Sequence, residues 1–167
     1  MNRRAAPRHK SPNGSGPRTL TPIPHVAGLE YDVLDDLLGY SLRRAQVAMF
    51  MAFQEATRGM GITPPRFTAL VMIGANPGLS QTALGNVLGI ARSGAMLLAT
   101  WFEAQGLVER RHRADDGRAW GLYLTPAGEA LVQRVKRRVV ASDRKRAAVL
   151  SARERRELRR LLAKLAG

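Results

Sequence analysis

Between Thr63 and Leu124 the apolar residues change spacing once, from a helical period to a strand period, and glycine or proline marks each break. Phe67, Leu70, Val71 and Ile73 make one helical stripe, which Thr63 and Pro64 are placed to start and Asn76-Pro77-Gly78 to stop. Ser80 then caps a short helix over 81–88, with Ala83, Leu84, Val87 and Leu88 inward. Gly89 interrupts the chain, and a longer helix is expected over 91–105, closed by Gly106. Two short helices across a tight glycine turn form a helix-turn-helix. Beyond Gly106 the pattern predicts strands at 107–111 and 119–124, the second with Trp120, Leu122 and Leu124 on one face. Residues 112–118 between them are polar and include Gly117, so the pair reads as a hairpin with a charged tip, a wing.

Helices flank this lobe. Leu34, Leu37, Leu38, Leu42, Ala45, Met49 and Phe53 predict one long helix over about 31–58, with Asp32, Asp35 and Asp36 at its positive end. Thr125-Pro126 starts another, expected to run to about 148. A capping box, Ser151-Ala152-Arg153-Glu154, opens a last helix carrying Leu158, Leu161, Leu162 and Leu165. These stripes have no evident partner in the chain, and terminal helices intertwined in a symmetric homodimer would bury them. The fold class is mainly α (α+β), a winged helix-turn-helix with N- and C-terminal dimerisation helices. The expected divisions are a disordered basic arm at 1–28, a dimerisation helix at 29–60, the DNA-binding lobe at 61–125 and dimerisation helices at 126–167. The arm is rich in proline and arginine and poor in bulky apolar residues. It is either a tail that adds phosphate contacts or a solvated leader.

The 167 residues carry 27 Lys and Arg against 13 Asp and Glu, a net charge of +14, which attracts polyanions but cannot choose among them. There is no cysteine, so disulfides, thiolate metal sites and cysteine nucleophiles are excluded. His9, His25 and His112 are scattered, and neither a metal nor a cofactor is expected. No apolar run approaches the roughly 18 residues that span a bilayer, and no apolar core follows the first basic residues as in an export leader. The chain is therefore expected to be cytoplasmic, with no membrane partner. The aspartates cluster at a helix start and no phosphate loop is present, so no enzyme activity is expected.

Four stretches, Gly78-Leu79-Ser80-Gln81, Gln105-Gly106-Leu107-Val108-Glu109-Arg110, Asp116-Gly117-Arg118-Ala119 and Leu124-Thr125-Pro126-Ala127-Gly128, resemble in order and spacing the MarR family of regulators. The similarity runs from about Leu29 to the end. It implies a dimeric DNA-binding transcriptional regulator, in the first instance a repressor, on a pseudo-palindromic double-stranded operator. It further implies tuning by a small anionic aromatic ligand. The segment Leu38-Gly39-Tyr40-Ser41-Leu42-Arg43-Arg44-Ala45-Gln46 resembles relatives that respond to aromatic acids or their coenzyme A thioesters. The alternative is a nonspecific nucleic-acid-binding or architectural protein without ligand response.

Under that resemblance the 91–105 helix enters the major groove, with Arg92 and Ser93 first in reach of base edges or, for Arg92, of phosphate. Relatives place polar or basic groups further along, where this chain has Met96, Leu97, Thr100 and Trp101. Met96 and Leu97 either touch thymine methyl groups or widen the core stripe of Ala95, Leu98 and Phe102. Ser80, Gln81 and Thr82 begin the preceding helix, where backbone N–H groups and hydroxyls clamp phosphate. In the wing, Arg110, Arg111 and Arg113 add charge, and the resemblance assigns Asp116 to shape the tip and Arg118 to the minor groove. For a ligand between the dimerisation helices and the lobe, Leu38, Ser41, Arg44 and Phe67 border the predicted cleft, with Arg44 as the anion partner.

Overall fold

The computed structural model describes residues 21–112 and 119–167. In chain order the elements are α1 (Val33–Asp36), α2 (Leu38–Ala56), α3 (Pro64–Ala75), α4 (Gln81–Leu88), α5 (Arg92–Ala104), β1 (Val108–His112), β2 (Trp120–Leu124), α6 (Pro126–Arg146), a 3-10 turn (Ala147–Val149) and α7 (Ala152–Ala166). Residues 1–20 of the expected arm, and Arg113, Asp116 and Arg118 of the wing tip, lie outside the described residues.

Small residues set the central packing. On α5, Ala95, Ala99 and Phe102 recur one helical turn apart and are fully buried. Alanine at the first two positions lets α5 approach α4, where Gly85 lies against Ala95. The two helices cross at 109°, within the helix-turn-helix range. Gly89 makes that turn possible: it closes α4 in the left-handed conformation, at φ 63°, where a side chain would be strained. Leu70 and Ile73 of α3, Leu84 of α4, Val108, Leu122, and Val132 and Val135 of α6 complete the core around Phe102. Each large side chain so buried contributes roughly 1.5–3 kcal/mol.

The strands pair antiparallel, from Val108 opposite Leu124 to His112 opposite Trp120. A second junction ties this hairpin to the loop before α4. Gly78 N–H donates to the Leu122 carbonyl and Leu122 N–H to the Leu79 carbonyl, both at 3.0 Å. Gly121 sits so close to Gly78 that a Cβ there would lie 2.6 Å from the Gly78 Cα. At the far end of β2, the Thr125 hydroxyl donates to the Gly106 carbonyl (2.7 Å) and accepts from Gly128 N–H (3.0 Å), which starts α6.

Several expectations are revised. The long first helix is broken at Leu37, whose extended ψ of 113° separates α1 from α2. It ends at Ala56, where the buried Thr57 turns its hydroxyl onto the carbonyls of Phe53 and Ile62. Thr63 occupies the cap position of α3 without a side-chain cap bond. Val87, expected inward, is 46% exposed. Residues 21–28, counted with the arm on composition, are held against the helices. His25 stacks on Tyr31 at 4.1 Å and bonds to Asp35, Val26 N–H donates to the Tyr31 hydroxyl, and Arg44 Nε donates to the Ile23 carbonyl. Proline removed regular hydrogen bonding there, and side chains of α1 and α2 supplied partners instead.

The capping box of α7 is present in both directions, and hydrogen bonds from the Ser151 hydroxyl and then its backbone hold the Glu154 carboxyl below the usual range. Even so, α7 buries none of its residues. Leu158, Leu161, Leu162 and Leu165 are all exposed, as are Leu29, Val33, Leu34, Leu37 and Leu38 near the other end. No single helix among the described residues is long and apolar enough to cross a membrane.

Gly121→Ala is expected to lower stability by about 2 kcal/mol, the scale of overpacking against rigid backbone, in a denaturant titration. Gly39→Ala, where nothing lies within 4 Å of the added Cβ, should instead raise it by roughly 0.5 kcal/mol. Equal responses at the two sites would contradict the close approach at Gly78.

Candidate nucleic-acid interface

The hairpin junction brings three elements to one concavity. Ser80, Gln81 and Thr82 from the start of α4, Arg92 from the start of α5, and Arg110 and Trp120 from the wing strands line a hollow of about 450 Å³ floored by Gly121 and Leu122. Five of the residues singled out from sequence, Ser80, Gln81, Thr82, Arg92 and Arg110, are thus gathered in one place. The Ser80 hydroxyl accepts from Ala83 N–H at 3.1 Å, so it is the cap of α4. The start of α5 has no such device: Ala91 stands at its cap position and offers no side-chain acceptor. Neither helix carries an acid in its first turn. The free N–H groups at the start of α4, with its helix dipole, and the Arg92 guanidinium therefore make the hollow attractive to anions.

Along α5, Arg92, Ser93, Met96, Leu97 and Thr100 are all exposed. Met96 is 47% and Leu97 68% exposed, which removes the alternative that they widen the core stripe. Arg110 lines the hollow and also bonds to α5. Its Nη2 lies 3.0 Å from Glu103 Oε2 and donates to the Thr100 hydroxyl at 3.1 Å. Its Nε is buried without an acceptor among the described residues. Arg110 thereby ties β1 to α5 through Glu103 and Thr100. Arg111 is drawn aside too, 3.3 Å from Glu109 and over the Tyr123 ring.

Trp120 is a lining residue that sequence reasoning did not single out. It shares a strand face with Leu122, yet at the outer end of β2 it overhangs the core, packed at a tilt on His112 with ring centres 4.2 Å apart, and is 56% exposed. Strand alternation gives the face of a residue but not how far the core extends beneath it. Trp101, by contrast, is half covered, with the Arg66 guanidinium 3.6 Å from its ring centre.

The four residues expected to border a ligand cleft are not brought together. Leu38 and Ser41 are exposed at the start of α2, and Arg44 is engaged by Ile23 and the Tyr40 ring. Phe67 packs on Phe53 at 5.7 Å and lines a cavity of about 650 Å³ with Val139, Asp143, Arg144 and Arg159. An adjoining apolar cavity of about 330 Å³ lies among α2, α3 and α6, lined by Met49, Phe50, Phe53, Pro64, Val139 and Asp143. Val139 and Asp143 are common to both.

A helix-turn-helix whose second helix lies exposed beside a two-stranded wing, with the start of α4, Arg92 and the wing strands meeting at one hollow, defines a winged helix-turn-helix transcription regulator. The model of the MarR family matches residues 60–119. The chain is 36% identical over 141 residues to a protein described as a transcriptional regulator for the hcr operon of Thauera aromatica, covering 84% of this chain and 85% of that one. It belongs to the MarR family of transcriptional regulators. Among solved structures it is similar to the repressor CouR bound to a 23-mer DNA duplex, at 33% identity and TM-score 0.77 over 83% of this chain and 99% of that one. CouR bound to p-coumaroyl-CoA matches at 32% identity and TM-score 0.72, over 83% and 97%. The Mycobacterium tuberculosis MarR-family protein Rv2887 in complex with salicylic acid matches at 32% and 0.61, over 77% and 96%.

DNA entering the hollow should cover Trp120. In a Trp101→Phe variant, whose remaining indole is Trp120, acrylamide quenching is expected to fall several-fold when duplex DNA is added at low salt. An unchanged quenching constant would put the DNA elsewhere.

Proposed function

We propose that a homodimer of this chain represses transcription by holding a pseudo-palindromic operator and lets it go on binding an aromatic acid or its coenzyme A thioester. The observation that carries the DNA half of this reading is the acid-free hollow where α4, α5 and the wing meet. In it, Gln81 and Thr82 contact phosphate through the start of α4, while Arg92 and Ser93 reach base edges. Arg113 and Arg118 of the wing tip extend the contact toward the minor groove. In a two-fold dimer the α5 helices enter successive major grooves about 10 bp apart. The leucine face of α7, together with the exposed apolar residues from Leu29 to Leu38, supports that dimer, since monomers seldom leave such surface open. The chain acts in the cytoplasm, where its DNA is, and does no chemistry on it.

The effector half rests on the two joined cavities. Phe50, Phe53 and Met49 offer an apolar chamber for an aromatic ring, and Arg144 and Arg159 beside Phe67 offer cations for its charged end. The relatives that bind p-coumaroyl-CoA and salicylic acid are consistent with that chemistry. Because the chamber is walled by α2 and α6, which link the terminal helices to the lobe, its occupant changes the spacing of the two α5 helices. By linkage it releases DNA only if it binds the DNA-incompatible spacing more tightly.

Footprinting on the DNA upstream of the protein's own gene tests the reading. A protected palindrome is expected, whereas uniform, salt-sensitive coverage would establish the nonspecific architectural alternative. Arg92→Ala should weaken operator binding by about 5- to 150-fold, the range for one arginine–base contact. Titration with p-coumaroyl-CoA and with salicylate should lower operator affinity for at least one of them. No change with either would remove the effector half and leave the DNA half standing.

A further inference from the structure

We infer that α5 selects its operator mainly through thymine C5-methyl groups, with Met96 and Leu97 as the side chains that touch them. The inference rests on the operator-binding reading above and names what that interface selects. The outward positions over the first three turns of α5 are Arg92, Ser93, Met96, Leu97 and Thr100. Arg92 alone among them is charged, and the Thr100 hydroxyl already accepts from Arg110. Met96 and Leu97 are 47% and 68% exposed. They do not belong to the core, because the inward face of the helix is occupied by Ala95, Ala99 and Phe102. They stand about 6 Å, one helical turn, beyond Arg92, so their apolar surface continues directly from the cationic hollow that Arg92 lines.

That continuity identifies the occupant. Whatever polyanion fills the hollow also covers the next turn of α5, and a duplex presents its major groove to a helix docked in this way. A thioether and an isobutyl group offer no hydrogen bond by which to tell one base edge from another. The one apolar group a base pair displays in the major groove is the thymine methyl. Contact with it separates thymine from cytosine by shape and water exclusion. Each half-site is then read as a guanine or a phosphate held by Arg92, next to thymines held by Met96 and Leu97.

The test uses the full chain and a duplex selected by it from random DNA. That duplex is resynthesised with deoxyuridine in place of thymine, one position at a time, which removes the methyl and keeps the base pair. Affinity is read by fluorescence anisotropy at fixed salt. At contacted positions the loss should be about four-fold per methyl and about 15-fold when both half-sites are changed, as for one methylene-sized group leaving a buried contact. Leu97→Ala and Met96→Ala, at exposed positions whose loss leaves the core intact, should bind the thymine duplex more weakly. Between them they should erase the difference between thymine and deoxyuridine. Equal affinity of the unaltered protein for both duplexes, with the selected site still preferred over random DNA, overturns the inference and leaves the operator reading intact. A deoxyuridine penalty that survives in both variants also overturns it, since other side chains would then make the contact. No preference for any selected duplex overturns both.

Discussion

The backbone junction between Gly78-Leu79 and Gly121-Leu122 is the constraint on which the rest of the DNA-facing surface depends. Two hydrogen bonds of 3.0 Å join the turn before α4 to the second wing strand, and two facing glycines allow the backbones to meet. Buried backbone polar groups must find partners, and here they find them between elements more than 40 positions apart in sequence. The result is a wing held at a set distance from the starts of α4 and α5. Without it the hollow that gathers Ser80, Gln81, Thr82, Arg92 and Trp120 would have no third wall.

Helix α5 answers to two sets of demands. Inward, it must be narrow enough at Ala95 and Ala99 to pack on α4 and wide enough at Phe102 to fill the centre. Outward, it carries one cation and an apolar pair. Arg110 joins the two sides, since its bonds to Glu103 and Thr100 fasten β1 to α5. A partly exposed ion pair of this kind contributes little to stability by itself, about 0–1 kcal/mol. Its effect is geometric, for it keeps the wing and α5 in one orientation.

The ends of the chain follow a different logic. The lobe has a closed core, whereas α7 is amphipathic without burying a residue and the α1–α2 start exposes a run of leucines and valines. A structure divided in this way has a rigid reader and apolar ends that require company. Cavities at the boundary between them are walled by α2, α3 and α6.

Most of the scaffold was legible in the sequence because local rules sufficed. Ser80, Thr125 and the Ser151–Glu154 pair marked helix starts, Gly89 marked the turn, and the change of period at Gly106 marked the wing. Residues 21–28, the break at Leu37 and the overhang of Trp120 were not legible. Residues 21–28 depend on the side chains of Tyr31, Asp35 and Arg44 and Trp120 on where the core ends, and neither dependence leaves a periodic trace. The candidate site divides along the same line. Ser80, Gln81, Thr82 and Arg92, singled out at helix starts, lie together at the hollow, while the bond between Arg110 and Thr100 left no trace in the sequence. For Met96 and Leu97 the sequence left two faces open, and packing of Ala95 and Ala99 against α4 chose the outer one. The sequence by itself determined the elements, their order and the cationic, cysteine-free character of the chain. Only the tertiary structure decided which side chains line the hollow and which of α5 stay exposed, because that choice belongs to the glycine contact at Gly78 and the close packing of α4 on α5.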